Sequence, residues 1–258
     1  MIGMPLIRAT RHVGTGLFAA LSGLGVARMA PPPDPRQAAH RLAAALGAVA
    51  RAHELSVTVR GDIPRGSALI VANHVSYIDP LAILPVCPAL PIAKGEVAAW
   101  PVVGAIADAF GVMFVRRESP AARVRTLRRV HALLSADVPV LNFPEGTTTP
   151  GDRVLPFWRG TFGIAQRLGV PVVPVAIAYA DPALAWCNAA TFLPHYLRTA
   201  ARPRVEVTLT FLPAMPTRVG ELPEDAAARA RNAIQRVLQR PEGSRGTVLP
   251  WPATRSAG

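Results

Sequence analysis

Residues 68–80 read ALIVANHVSYIDP. ALIVA (68–72) is a short apolar run with no polar alternation, which suits a strand buried on both faces. It stops at Asn73-His74. Asp79-Pro80 follows, where Asp79 can cap a helix that begins at residue 80. A buried strand, a turn and a helix start in immediate succession are the unit of an α/β layer fold, and in such sheets ligands bind beyond the carboxyl ends of the strands. His74 stands at that place.

Further strands are expected at SVTVRG (56–61), VMFV (112–115), VPVLNF (138–143), VPVVPVAIAY (170–179) and RVEVTLTFL (204–212). Helical patterns lie between them at 120–135 and 158–168, and again at 223–240, which opens on Pro and acids and closes on Arg. The expected fold is α/β, with a mixed, largely parallel central sheet flanked by helices, in a catalytic domain over residues 55–240. The final residues, 241–258, are rich in Pro, Gly and Ser and are expected to form a mobile tail. No internal repeat occurs.

Residues 1–54 have a different texture. Residues 13–27 carry no charge and are flanked by Arg8, Arg11 and Arg28. The run is shorter than the roughly 20 residues that span a bilayer. A signal peptide, a buried helix and a helix lying in the membrane interface all fit the pattern. APPPDP (30–35) breaks the chain. Asp34-Pro35 then opens a second helix, with Leu42, Ala45, Leu46, Val49 and Ala50 at helical spacing. The expectation is a two-helix, membrane-associating segment over 1–54.

The chain has 258 residues and a formal charge of +12, and Lys94 is its only lysine. Arginine holds its charge at any physiological pH and suits phosphates, so anionic partners are indicated; an Arg- and Ala-rich genome supplies the same excess. Basic residues are not interleaved with aromatics and no nucleic-acid motif is present, so nucleic acid is not an expected partner. Two cysteines, Cys87 and Cys187, form neither a disulfide framework nor a Cys/His metal cluster, and no metal is expected.

Asp79 lies five positions after His74. On a continuous helix they would face different ways, but with a turn between them the carboxylate can fold back onto the imidazole. A carboxylate on one ring nitrogen fixes the tautomer and frees the other nitrogen to accept a proton. A turn histidine beside a capping aspartate is the plainer alternative. No GxSxG is present, and Ser76 is expected to hydrogen-bond backbone within the turn. A base without an enzyme nucleophile implies that the substrate supplies the hydroxyl. Two more stretches carry polar groups after strands. In FGVMFVRR (110–117), Gly111 permits an unusual turn and Arg116 and Arg117 can clamp a phosphate. In LNFPEGTTTPGDRVLPF (141–157), Glu145 can hold a hydroxyl or an arginine, and the loop offers N–H groups and threonine hydroxyls.

These stretches, in this order, resemble the glycerolipid acyltransferase family. N-H-x-x-x-x-D is matched by Asn73, His74 and Asp79; G-x-x-F-[IV]-x-R by Gly111, Phe114, Val115 and Arg117; F-P-E-G-T by Phe143 to Thr147; and V-P-[VI]-x-P-V by Val170 to Val175. The resemblance covers about residues 55–215. It implies transfer of a fatty acyl group from acyl-CoA or acyl-carrier protein, as co-substrate and without a cofactor, to a lysolipid hydroxyl. The acceptor implied is 1-acylglycerol-3-phosphate, giving phosphatidic acid. His74 is then the base and Asp79 its orienter, with Asn73, Gly111, Phe114, Arg117, Glu145, Gly146 and Thr147 on the substrate side. Thr148 departs from the Arg that many lysophosphatidate enzymes carry there. With AKGEVAAWPVVG (93–104), FPEGTT, VLPF and FLPHYL (192–197), it looks like the lyso-ornithine lipid acyltransferase branch. An acyl thioester hydrolase is the remoter reading. Acyl thioesters are cytoplasmic and the acceptor lies in a bilayer. The expected location is therefore the cytoplasmic face of the inner (plasma) membrane, peripheral or monotopic, against an anionic surface, and the interface reading of the N-terminus is preferred to a signal peptide.

Overall fold

The computed structural model describes residues 3–100, 102–187, 191–218 and 220–239. The tail expected over 241–258 lies outside them.

Alternating apolar runs and helical stretches fold as their spacing requires. Strands β1 (Leu55–Arg60), β2 (Leu69–Ala72), β3 (Leu90–Lys94), β4 (Met113–Val115), β5 (Val140–Asn142), β6 (Val172–Tyr179) and β7 (Val205–Phe211) form one sheet in the order β1-β7-β6-β2-β5-β3-β4. All neighbours are parallel except β6 and β7. This is the mixed, largely parallel sheet expected. All four residues of β2 are buried, so the uniform ALIVA run marks the sheet's centre, whereas β1 alternates buried and half-buried residues at the edge. Strand β3 escapes the strand pattern because Pro91 interrupts a short run. Its Leu90 and Pro91 pair with β5 and its remaining residues with β4, so each side is only partly laddered.

The helices are α1 (Gly3–Met29), α2 (Pro35–Ala52), α3 (Asp79–Ile83), α4 (Val103–Ala109), α5 (Pro120–Ser135), α6 (Gly160–Leu168), α7 (Phe192–Ala200) and α8 (Pro223–Leu238). Helices α5, α6 and α8 pack together and onto β2, β4, β5 and β6. Helices α2 and α3 pack on β1, β3 and β7, and α1 lies over α2, α4 and α7. The Asp34 side chain accepts from the Gln37 N–H at 2.8 Å, with Pro35 as the first helical residue, as the sequence indicated.

Helix α1 approaches α2 closely through glycines. A Cβ on Gly16 would lie 2.2 Å from His53 Cε1, and one on Gly23 would lie 3.0 Å from Ala45 Cβ. His53 locks this junction: Nδ1 donates to Val49 O at 2.8 Å, and Nε2 accepts from the Tyr196 hydroxyl at 2.9 Å. Burial, with a smaller push from nearby His12, holds the His53 pKa below its usual 6.5. A depressed histidine favours the neutral folded form, so its contribution is intact above about pH 6.5 and fades as pH falls below it. Lowering the pH from about 7.5 to 5.5 is expected to reduce Tm less in His53→Gln than in the wild type. Equal losses in a thermal melt would remove His53 from this role.

Among the described residues no helix is long and apolar enough to cross a membrane. Helix α1 still presents large apolar side chains outward, with Phe18 74% and Met29 82% exposed, and Leu193 and Leu197 of the adjoining α7 are exposed as well.

Candidate active site

The carboxyl ends of β2, β5 and β4 bring the three sequence stretches together. After Ala72, Asn73 continues the sheet with its side chain. Its Nδ2 donates to Ile177 O at 3.0 Å, and its Oδ1 accepts from the Ile177 N–H at 2.8 Å. Asn73 is buried and committed to β6. The chain is thereby fixed where His74 begins the turn.

His74 Nδ1 lies 2.7 Å from Asp79 Oδ2, and the same oxygen accepts from the N–H groups of Val75 at 2.8 Å and Ser76 at 3.1 Å. The other oxygen, Oδ1, accepts from the Tyr179 hydroxyl at 2.5 Å. Asp79 is wholly buried, and four donors compensate its charge. An ionised carboxylate only accepts, so Nδ1 carries the ring proton and Nε2 is left as an acceptor. No partner for Nε2 occurs among the described residues, and the His74 side chain is 22% exposed. Its ring stacks on Phe143 at a centroid distance of 4.2 Å.

Two details of the turn differ from expectation. Asp79 does not cap a helix starting at residue 80. It is the first residue of α3, the capping position falls on Ile78 without a side-chain bond, and the carboxylate folds back to the turn instead. Backbone donors upstream outcompete those of the short helix. The Ser76 hydroxyl, expected to bond backbone, is buried with no partner among the described residues. Only its main chain takes part, donating to Asp79 and accepting from the Asp79 N–H at 3.1 Å.

Glu145 was offered to a hydroxyl or an arginine, and the structure gives it to backbone. Oε1 accepts from the His74 N–H and Oε2 from the Leu155 N–H, both at 2.7 Å. Burial raises its pKa, and the two amide bonds oppose that rise. Thr149 N–H donates to His74 O at 2.8 Å, so the loop after β5 grips the His74 peptide at both ends. Gly146 takes a φ of 80°, and a Cβ there would lie 2.2 Å from Arg117 Nη1. The positive φ favours glycine, and a side chain there would also displace the Arg117 guanidinium. Arg117 Nη1 donates to Gly146 O, which ties the end of β4 to this loop. Gly111 turns into β4 at a φ of 73°. Thr147 is exposed at the loop's tip and Phe114 is half-buried. His74, Asp79, Glu145, Gly146 and Arg117 are directly linked at the carboxyl edge of the sheet, with Asn73 and Thr147 beside them in sequence; Phe114 lies within β4, and Gly111, two residues before β4, lies at the amino end of that strand and outside the cluster.

Tyr179 escaped notice. It lies 100 residues from Asp79, at the end of an apolar strand, and no spacing rule joins them. Among the described residues no cluster of His, Cys, Asp or Glu is placed to hold a metal ion. Cys87 is buried and its thiol is pushed up to about 12, so it is no nucleophile.

Comparison with known proteins points the same way. The family model described as Acyltransferase matches residues 55–178. The lyso-ornithine lipid O-acyltransferase of Pseudomonas aeruginosa is 32% identical over 206 residues, covering 78% of this chain and 77% of that protein. The 1-acyl-sn-glycerol-3-phosphate acyltransferase of Neisseria meningitidis is 33% identical over 175 residues, 67% of this chain and 56% of that protein. The crystal structure of the 1-acyl-sn-glycerophosphate acyltransferase PlsC from Thermotoga maritima superposes with a TM-score of 0.66, covering 92% of this chain and 97% of that one at 23% identity, and so supports the fold. A sheet of this topology, a relative of this identity and coverage and a family model spanning the His74 turn lead to one conclusion: the chain belongs to the acyltransferase family.

Proposed function

We propose that the protein is a lysolipid O-acyltransferase that moves a fatty acyl group from acyl-CoA or acyl-carrier protein to the free hydroxyl of 1-acylglycerol-3-phosphate, forming phosphatidic acid. The observation that carries this reading is the 2.7 Å contact between His74 Nδ1 and buried Asp79, which leaves Nε2 as a proton acceptor with no nucleophile hydrogen-bonded to it among the described residues. Nε2 takes the proton of the lipid hydroxyl while its oxygen bonds to the thioester carbonyl carbon. The C–S bond then breaks, and the thiolate leaves with the proton from the imidazolium. Asp79 stabilises that imidazolium. Glu145, Asn73 and Gly146 hold the turn in place, Arg117, with Thr147 on the linked loop and Phe114 in β4, meets the acceptor, and Gly111 shapes the turn into β4.

A second acceptor, lyso-ornithine lipid, is favoured by Thr148 and by the Pseudomonas relative. Purified protein with labelled acyl donor and a panel of lysolipids tests both, because the acylated product identifies the headgroup. Release of free fatty acid alone would overturn transfer in favour of hydrolysis.

Tyr179 acts through Asp79. Its hydroxyl spreads the carboxylate's charge, so removing it makes the carboxylate a stronger partner for the imidazolium. Tyr179→Phe is expected to move the acid limb of the kcat/KM profile to higher pH while kcat on the plateau stays within a few fold of the wild type. An unchanged limb would reduce Tyr179 to packing.

The outward apolar face of α1, with Arg8, Arg11 and Arg28 on the same helix, supports a peripheral position at an anionic, cytoplasmic membrane surface. Residues 1–54 then form the membrane-associating segment and 55–240 the catalytic domain.

A further inference from the structure

Beside the site, between the end of β4 and the first turns of α5, lies an open cavity of about 360 Å³ lined by Arg116, Arg125, Phe114, Gly95 and Thr126 among others. Gly95 makes room in it, since a Cβ there would lie 3.0 Å from Arg116 Cγ. The Thr126 hydroxyl is turned to its own helix, donating to Ala122 O at 3.1 Å. The two guanidinium groups are therefore the cavity's polar ligands, and neither is ion-paired among the described residues. Of the nearby acids, Glu96 is already bound to Lys94 at 3.0 Å. Arg123, Arg128 and Arg129 on α5 extend the positive field.

We infer that this cleft, through Arg116 and Arg125, binds the phosphate of the acyl donor's phosphopantetheine arm. The inference rests on the acyl-transfer reading above. Reach decides between donor and acceptor. His74 follows β2, and β4 lies three strands away, about 14 Å at the usual strand spacing. The phosphorus of an acylglycerol phosphate is about four bonds from the reacting oxygen, roughly 5 Å. It cannot sit in this cleft while its hydroxyl meets His74. A pantetheine arm places about thirteen bonds between sulfur and phosphorus, equal to some four extended residues, or roughly 15 Å. Arginine forks match the two non-bridging oxygens of the pantetheine phosphate. Acyl-CoA, where that phosphate is part of a diphosphate, and acyl-carrier protein, where it is a phosphodiester, both present those oxygens, so the cleft serves both. Consecutive arginines then divide the work: Arg117 turns to the Gly146 loop and Arg116 to the cleft.

The test is the double variant Arg116→Gln/Arg125→Gln, both exposed positions. It is expected to raise KM for acyl-CoA and acyl-carrier protein about tenfold to a hundredfold. KM for the lysolipid should stay within about twofold, because the acceptor does not reach the cleft. Transfer from S-acyl-pantetheine, which lacks the phosphate, should not change. A rise confined to the acceptor, an equal loss with S-acyl-pantetheine, or a loss with the carrier protein alone would overturn the inference. Calorimetry with CoA gives a reading that needs no turnover: the double variant should bind at least about tenfold more weakly, and equal binding would overturn the cleft. Absent transfer alongside Arg116- and Arg125-dependent CoA binding would instead strike the proposed reaction and sustain the cleft.

Discussion

His74→Ala is expected to lower acyl transfer about 10²–10⁴-fold, the usual contribution of a positioned general base. Nε2 is the one atom of the linked cluster that is both unpartnered among the described residues and on a partly exposed ring, so no neighbour can substitute for it. Glu145 is committed to two amides and the Ser76 hydroxyl is buried. The fold should survive. Asp79 keeps three of its four donors, and loss of one such bond costs about 1–3 kcal/mol. Turnover near the wild-type rate, with circular dichroism confirming an intact fold, would remove His74 from the chemistry.

Changing Asp79 separates two roles. Asp79→Ala leaves four donors without an acceptor, the Val75 and Ser76 amides fully buried and the His74 ring and the Tyr179 hydroxyl partly so. At about 1–3 kcal/mol each, the loss approaches the whole margin of a typical domain, and the variant should fail to fold. Asp79→Asn is the informative change. Its oxygen can take the place of Oδ2 and keep the turn, while its NH₂ meets the Tyr179 hydroxyl, which can rotate to accept. The turn survives, but no charge stabilises the imidazolium. Activity should fall about 10²–10⁴-fold with Tm lowered by only a few degrees. An Asn variant near full activity would show that orientation alone, without charge, is enough.

Much of this was legible in the sequence, for reasons that differ by residue. The ALIVA run announced a central strand because burial on both faces leaves no room for polar alternation. The pairing of His74 with Asp79 was legible because both lie within one turn, where chain length limits the alternatives. Glu145 was placed at the site but given the wrong partner. Its true partners, the amides of His74 and Leu155, are main-chain groups that no residue pattern records. Tyr179 was hidden because its contact crosses from β6 to the turn after β2, and only the sheet order makes those neighbours. Strand β3 was concealed by Pro91, which is tolerated because the strand is laddered on different sides along its length.

With His74 as base, the acyl group passes directly from thioester to lipid, with no acylated protein between them. The direct measurement is intact mass of the protein after brief incubation with acyl-CoA in the absence of lysolipid. The expected spectrum shows the unmodified chain, with acylated product appearing only once lysolipid is added. A protein heavier by one acyl group, with peptide mapping to Ser76 in the His74 turn, would contradict it.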